Sequence, residues 1–328
     1  MKLKYSHISV FILFLFVISC TDNKVTSLKL SHGLPVDHPV HKAMEMMASR
    51  LAELSSNKME IKIYPSGQLG SEQQNVELLQ IGSLAMTKVS AAVLEGFAEE
   101  YKVLGLPYIF TSKQHYYDVC DGDIGKDILL STQKKWLRGL CFYDAGSRSF
   151  YSTKKMIKTP SDLKGMKIRV MKSKTAMEMV KALGGSPSPL SWGELYTALQ
   201  SGVVDGAENN PPTFYASHHY EVCKNYSLDE HASIPDVLVM SKVVWDKLSK
   251  QEQKWLQQAA DESVIEERKL WAKAEENALI QIKEAGVKVI KPDKKLFSVK
   301  IKHIYDSYRN NEKIYKYIKR IQNSGKIK

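Results

Sequence analysis

The chain has 328 residues, of which 43% are hydrophobic and 25% charged, and its formal net charge is +11. This length is sufficient for two domains with a sizeable core, and the absence of an internal repeat in the sequence excludes the repeat architectures. The charge is uneven, because the segment from Val287 to Lys328 has 13 Lys and Arg residues against three acids.

The amino terminus has the pattern of a bacterial signal peptide. Two lysines precede an apolar stretch, residues 8–18, that would rise only about 16 Å as a helix, too short to cross a bilayer. Cys20 follows in the sequence Val-Ile-Ser-Cys, which resembles a lipobox. We predict a signal peptide over 1–19, lipidation of Cys20 and a lipid-anchored tether over 20–26. The alternative is an ordinary secretory signal with a chance cysteine.

The first part of the mature chain alternates predicted strands and helices. Residues 25–31, 59–64 and 84–89 are predicted strands, separated by a helix that ends near Leu54 and a second helix over 71–80. This order is typical of an α/β fold with a largely parallel sheet.

The middle of the chain continues the alternation. The predicted elements are strands over 139–153 with a break at Gly146, a half-buried strand over 166–171, a helix between Ser173 and Gly184, a helix from a capping box at Ser191 to Gln200, a strand over 203–207 and a helix opening at Pro211.

The carboxyl third contains one long predicted helix. Apolar residues recur at helical spacing over 250–285, and Gly286 ends the run. A helix of this length would span about 50 Å, more than the width of one small domain. We therefore expect two lobes joined along this helix.

Three cysteines, Cys120, Cys141 and Cys223, remain if Cys20 is lipidated. A disulfide between Cys120 and Cys141 and buried free thiols are both compatible with an oxidising compartment. The spacing does not fit a zinc site, and the sequence lacks the common hydrolase, phosphate-loop and calcium-loop motifs. We predict no catalytic residue, no metal and no cofactor.

Several runs of sequence carry a resemblance to a known family: Gln68-Leu69-Gly70, Gly105-Leu106-Pro107-Tyr108, residues 163–170 (LKGMKIRV) and residues 195–209, which include ALQSGVVDG before Glu208 and Asn209. Together they resemble the DctP-type solute receptors of TRAP transporters, and the resemblance covers almost the whole mature chain. Residues 209–215 and 219–223 are similar to the members of that family that bind hexuronates.

The resemblance implies a two-lobed, periplasmic-binding-protein-like fold, with the ligand in the cleft between the lobes. We expect residues 27–146 plus 235–270 to form lobe I and residues 147–234 plus 271–328 to form lobe II. The implied protein is a periplasmic, lipid-anchored, monomeric receptor that is not an enzyme. Its partners would be a hexuronate such as glucuronate or galacturonate, the TRAP membrane subunits and the bilayer. A C4-dicarboxylate or another organic acid is the alternative ligand, and a ligand-presenting sensory module the alternative role.

Arg169 matches the arginine that pairs with the ligand carboxylate in this family. A guanidinium binds a carboxylate bidentately, which lysine cannot do. Alternation along the strand places Arg169 on the face opposite Ile168 and Val170, and a surface ion pair is the other reading. Arg148 is the candidate second ligand-facing arginine, or else an ordinary loop residue.

The remaining site candidates fall into three groups. Asn209 follows a strand, and open α/β sheets bind ligands at such strand ends. Asn210 either contacts the ligand together with Asn209 or only caps the next helix. Trp192 and Phe214 are aromatic candidates for contact with a sugar ring or for the core. The first lobe offers four residues that can donate to or accept from hydroxyl groups: His32, Glu72, Lys88 and Ser90. For His32 the alternative is a helix cap, and for Glu72 it is a solvated acid in the first turn of a helix.

The basic carboxyl-terminal segment has two interpretations. It is either a solvated helix face or a surface attracted to anionic lipid or to an acidic permease surface. A secreted protein rarely meets nucleic acid, so we expect no nucleic-acid partner.

Overall fold

The computed structural model describes residues 25–325. The predicted signal peptide, Cys20 and most of the tether lie outside this range. No helix within it is long and apolar enough to cross a membrane. The predicted α/β fold with two lobes and a long helix is confirmed.

The strands are β1 (Thr26–Ser31), β2 (Met59–Tyr64), β3 (Met86–Ser90), β4 (Leu137–Tyr143), β5 (Arg148–Ser152), β6 (Lys167–Val170), β7 (Ser186–Pro189), β8 (Gly206–Asn209), β9 (Asn225–Ala232), β10 (Asp236–Ser241) and β11 (Lys288–Ile290). The helices are α1 (Pro39–Leu54), α2 (Glu72–Gln80), α3 (Ala91–Leu94), α4 (Lys113–Asp121), α5 (Asp123–Ser131), α6 (Lys174–Ala182), α7 (Leu195–Gln200), α8 (Pro211–Ala216), α9 (His219–Val222), α10 (Lys242–Trp245), α11 (Lys250–Glu284), α12 (Lys294–Lys300), α13 (Lys302–Ser307) and α14 (Glu312–Ser324).

The strands form two sheets, one in each lobe. The first has the order β2-β1-β3-β10-β4 and the second the order β11-β9-β5-β8-β6-β7. The chain passes from the first sheet to the second between β4 and β5 and returns between β9 and β10. Because β10 returns antiparallel between β3 and β4, the first lobe is completed by a strand from a distant part of the sequence.

The long helix α11 runs along both lobes. It begins with a capping box between Ser249 and Glu252, and Gly286, with a φ of 82°, follows its end. Its first half buries Leu256 in the first-lobe core with α1, and Ile282 near its end belongs to the second-lobe core. The sequence prediction of one helix spanning both lobes is therefore confirmed.

Strand β8 starts three residues later than the sequence pattern predicts. Val203, which the pattern assigns to the strand, lies in a turn after Gly202 and is 56% exposed. Gly206 opens the strand because its neighbour β5 approaches closely: a β-carbon there would lie 2.4 Å from the carbonyl oxygen of Tyr151. Asn209 is consequently the last residue of β8 and does not follow it.

The carboxyl-terminal helix α14 packs on the first lobe. Its buried isoleucines, Ile314, Ile318 and Ile321, join the core that contains Tyr116 of α4, and the imidazole Nε2 of His115 lies 3.0 Å from the carbonyl oxygen of Ile321. This placement differs from the expectation that all of 271–328 belongs to lobe II. Amphipathic spacing predicts that a helix packs on something, but the sequence does not say on which lobe.

The cysteines Cys120, Cys141 and Cys223 are buried free thiols. Of the two alternatives left open by the sequence, the disulfide between Cys120 and Cys141 is therefore wrong. Each thiol packs in an apolar core, where free cysteine behaves as a small hydrophobic residue.

Candidate functional site

A cavity of about 790 Å³, part of it open to solvent, lies between the two sheets. Both lobes line it: Gly33, Glu72, Lys88 and Ser90 come from the first, and Arg148, Arg169, Trp192, Asn209 and Asn210 from the second. Most of these residues lie in strands or directly after them, so the two sheets bring their side chains to one place.

Arg169 is buried in this wall, and no acidic side chain of the described part of the chain pairs with it. It is 2% exposed, and its neighbours Ile168 and Val170 point into the apolar core on the other face of β6. Its Nε and Nη2 donate to the carbonyl oxygen of Leu190, at 3.0 and 2.8 Å. Within residues 25–325 no carboxylate lies within ion-pair distance of it, and burial lowers the pKa of its guanidinium. The alternative of a surface ion pair is therefore wrong, because the side chain is buried.

Arg148, in contrast, is paired with an acidic protein group. Its Nε and Nη2 donate to the Glu208 carboxylate and its Nη1 donates to Oδ1 of Asn209, at 2.9 Å. Burial opposes ionisation of Glu208, but the guanidinium outweighs it and, together with His231, lowers the pKa of that carboxyl to about 2. Arg148 and Glu208 thus form a neutral pair next to the cavity.

The side-chain amide of Asn209 uses its oxygen within the protein and leaves its nitrogen available to a ligand. Its Oδ1 accepts from Arg148 and from the backbone nitrogen of Asn210, at 2.9 Å each. This arrangement turns the Nδ2 group into the donor that can face a ligand. Asn210 caps α8, because its Oδ1 accepts from the Thr213 backbone nitrogen at 2.8 Å, and it also lines the cavity. Both roles considered for Asn210 therefore coexist.

On the opposite wall, Lys88 lies between two carboxylates. Its Nζ is 3.2 Å from Oε1 of Glu72 and 3.2 Å from Oδ2 of Asp236, and the residue is 3% exposed. Burial disfavours the charged amine, but Asp236 and Glu72 outweigh this effect and raise the pKa of Lys88. Asp236 faces Ser90 across the β3–β10 ladder, two positions from the partner of Lys88, so the strand register creates this cluster.

Two predicted site residues lie behind the wall. His32 is fully buried, with its Nδ1 accepting from the Leu34 backbone nitrogen at 3.1 Å and its Nε2 2.9 Å from Nδ1 of His41. Burial lowers the pKa of His32 to about 3, so the ring is neutral and holds the loop that carries Gly33. Phe214 is also fully buried and packs against Tyr151 and Tyr226, with ring centroids 4.7 Å apart in both cases.

Trp192 lies on the cavity wall and is only partly buried. Its ring centroid is 5.9 Å from Cζ of Arg169 and 5.3 Å from the ring of His219. The indole is therefore held beside the guanidinium, with one side facing the cavity.

Sequence reasoning missed two acids, Glu208 and Asp236. Both are buried carboxylates in strands, an unusual position for an acid without a partner. Lys88 in β3 and Asp236 at the start of β10 have complementary charges, which is the one signal that could have found the pair. It is weak, because nothing in the sequence predicts that β10 lies beside β3.

Comparison with known proteins gives a consistent picture. The model of the DctP family, described as bacterial extracellular solute-binding protein, family 7, matches residues 30–311. YiiZ of Salmonella typhimurium is 38% identical over 299 residues, which are 90% of this chain and 91% of that protein.

Solved structures extend this likeness. A TRAP periplasmic solute-binding protein from Bradyrhizobium sp. BTAi1, in complex with α/β-D-galacturonate, is 41% identical and has a TM-score of 0.89 over 90% of this chain and 99% of the other. Another such protein from Anaerococcus prevotii, with bound α/β-D-glucuronate, is 35% identical and has a TM-score of 0.90 over 92% of this chain and 98% of the other.

Proposed function

The chain belongs to the bacterial extracellular solute-binding proteins of family 7, and from that premise we propose that it is the receptor of a TRAP transporter for a hexuronate. The ligand would be glucuronate or galacturonate, bound in the cavity between the lobes. The related proteins solved with these two sugars support this choice.

The observation that carries the proposal is the unpaired guanidinium of Arg169. A buried charge without a counter-ion is costly, and proteins normally provide a partner. The residues within 25–325 provide none, so a ligand carboxylate is the natural partner. Nη1 of Arg169 makes no hydrogen bond within the described chain, and it can donate to the carboxylate together with Nδ2 of Asn209.

The rest of the sugar would meet the other walls. Lys88 donates to ring hydroxyls while Glu72 and Asp236 accept from them, and Ser90 can do either. Trp192 offers an apolar face to the ring. Lobe I (27–146 plus 235–270) and lobe II (147–234 plus 271 onward, apart from α14) would close over the ligand, and the closed form would be recognised by the TRAP membrane subunits.

The same proposal includes the cellular setting. The protein would act in the periplasm as a monomer, anchored to the bilayer through Cys20, and would bind its ligand without transforming it. The signal-like amino terminus supports export.

Calorimetric titration of the chain from residue 21 onward tests the function. We expect saturable binding of glucuronate or galacturonate and none of glucose, which has the ring and hydroxyls but no carboxylate. Equal binding of glucose, or no binding of any acid, would contradict the proposal.

A further inference from the structure

The buried charges of the cavity are distributed unequally between its two walls. Three lysine or arginine side chains are buried within residues 25–325: Lys88, Arg148 and Arg169. Arg148 is neutralised by Glu208. The single ammonium of Lys88, in contrast, lies between the two carboxylates of Glu72 and Asp236. One wall therefore has an uncompensated positive charge at Arg169, and the opposite wall has an excess of negative charge.

We propose that this cavity selects solutes with a single carboxylate and a neutral, hydroxyl-bearing far end, and that Glu72 and Asp236 exclude diacids. This inference rests on the proposed function, in which the carboxylate of the ligand meets Arg169, and it specifies what the other end of the ligand must be.

A second carboxylate has no place in this charge pattern. With the first carboxylate on Arg169, a diacid that spans the cavity directs its other end towards Glu72 and Asp236. Like charges brought together away from water repel strongly. Arg148 cannot offset this repulsion without leaving Glu208. Among the described residues that line the cavity, the only other lysine or arginine is Lys172, which is exposed, so solvent screens its charge.

A hydroxyl group fits the same wall better than either kind of ion. It can accept from the ammonium of Lys88 and donate to a carboxylate at the same time. A ligand ammonium could donate to the carboxylates, but it would lie beside Lys88 and could accept nothing from it. The Lys88 cluster is therefore suited to neutral groups that both donate and accept.

Three ligands separate charge from shape. D-Glucuronate is the proposed type of ligand, whereas D-gluconate and D-glucarate are open chains that differ only in whether C6 is a hydroxymethyl or a second carboxylate. Titration calorimetry on the wild-type chain should give a Kd for glucarate at least about 100-fold weaker than for glucuronate, and weaker than for gluconate.

Isosteric variants test the residues. Glu72→Gln and Asp236→Asn keep the size of each side chain and remove its charge, and we expect each to reduce the preference for gluconate over glucarate by at least about tenfold. Glu77→Gln, on an exposed position of the same helix α2, is the matched control and should leave the preference unchanged. The circular dichroism spectrum of each variant verifies that it is folded.

The outcomes distinguish the two claims. Tight binding of both glucuronate and glucarate overturns this inference and leaves the proposed function intact. Equal rejection of gluconate and glucarate, unchanged in both isosteric variants, also overturns it, because shape then decides. Failure to bind glucuronate or galacturonate overturns the proposed function itself, whatever glucarate does.

Discussion

Gly33 and Trp192 meet across the cavity: a β-carbon built on Gly33 would lie 3.3 Å from Cδ1 of the indole. Gly33 belongs to the loop after β1 in the first lobe, and Trp192 to the turn before α7 in the second. The contact joins the two lobes beside the guanidinium of Arg169. Because Gly33 has no side chain, the indole can come this close.

A branched side chain at this position should therefore hinder closure. We expect Gly33→Val to weaken uronate binding by about tenfold to 100-fold, which corresponds to the usual cost of overpacking. Gly33→Ala should have a smaller effect, since Trp192 has to move only slightly. Calorimetric titration measures both. An unchanged Kd in the valine variant would show that binding does not require this approach of the lobes.

Arg169→Ala should weaken uronate binding by at least about 1.5–3 kcal/mol, the scale of a hydrogen bond to a charged group. Arg169→Lys should restore only part of the loss, because a lysine keeps the charge but not the bidentate geometry. Arg309→Ala, which removes an exposed arginine paired with Asp306, is the control and should bind as the wild type does. Wild-type affinity in both Arg169 variants would contradict the role of this residue.

The pH dependence of stability should report on His231. This buried imidazole lies 2.8 Å from the Asp229 carboxylate and 3.6 Å from that of Glu208. Burial disfavours its charge, but Asp229 and Glu208 outweigh burial and raise the pKa of His231 to about 9. The folded pKa exceeds the unfolded value of about 6.5, so the stabilisation is complete below pH 6.5 and is lost as the pH rises through 9.

Urea unfolding at pH 6, 7.5 and 9.5 checks this prediction. Between the first and last value the wild type should lose on the order of 2–3 kcal/mol from this group. His231→Gln should be less stable at pH 6 and should show a flatter profile. Glu208, with its pKa of about 2, should not contribute to this alkaline change, because its stabilisation is lost only under acidic conditions. Parallel profiles for the two proteins would exclude a charged His231.

Phe214 and Trp192 should differ in what their substitution changes. Phe214 is buried between Tyr151 and Tyr226, so Phe214→Ala should lower the free energy of unfolding by about 3–5 kcal/mol. The variant that remains folded should bind nearly as well as the wild type. Trp192→Ala should do the reverse, with a small effect on stability and a clear loss of affinity.

Denaturant unfolding and calorimetry on the same samples separate the two effects. The milder Phe214→Leu variant keeps the comparison meaningful if the alanine variant does not fold. A large loss of affinity without destabilisation in Phe214→Leu would show that Phe214 contributes directly to ligand binding.

Local patterns in the sequence predict much of the secondary structure. The capping box at Ser191 and Glu194 is present, although the first turn is a 3-10 helix over Trp192–Glu194 before α7 begins. The 35-residue helix α11 was predicted to within one residue of its observed end. Such signals are reliable because the interacting groups lie within a few residues of each other.

The site itself was predictable in part. Alternation in β6 placed Arg169 away from the apolar core, and the resemblance to a family implies that it is a ligand partner. Histidine and phenylalanine are residue types that often contact ligands, but His32 and Phe214 lie one layer behind the cavity wall. Composition and spacing do not reveal this depth, because it depends on which neighbours fill the space in front of each ring.

The sequence by itself determined the class of fold and the long helix, and it singled out Arg169 as the proposed partner of a ligand carboxylate, because these depend on local periodicity and on motifs. Only the tertiary structure decided that Arg148 is neutralised by Glu208, that Arg169 meets no acid among residues 25–325, and that Asp236 joins Glu72 at Lys88. These partners are brought together by pairing of strands far apart in sequence. The charge that a cavity offers to a ligand is what remains after such pairs have formed.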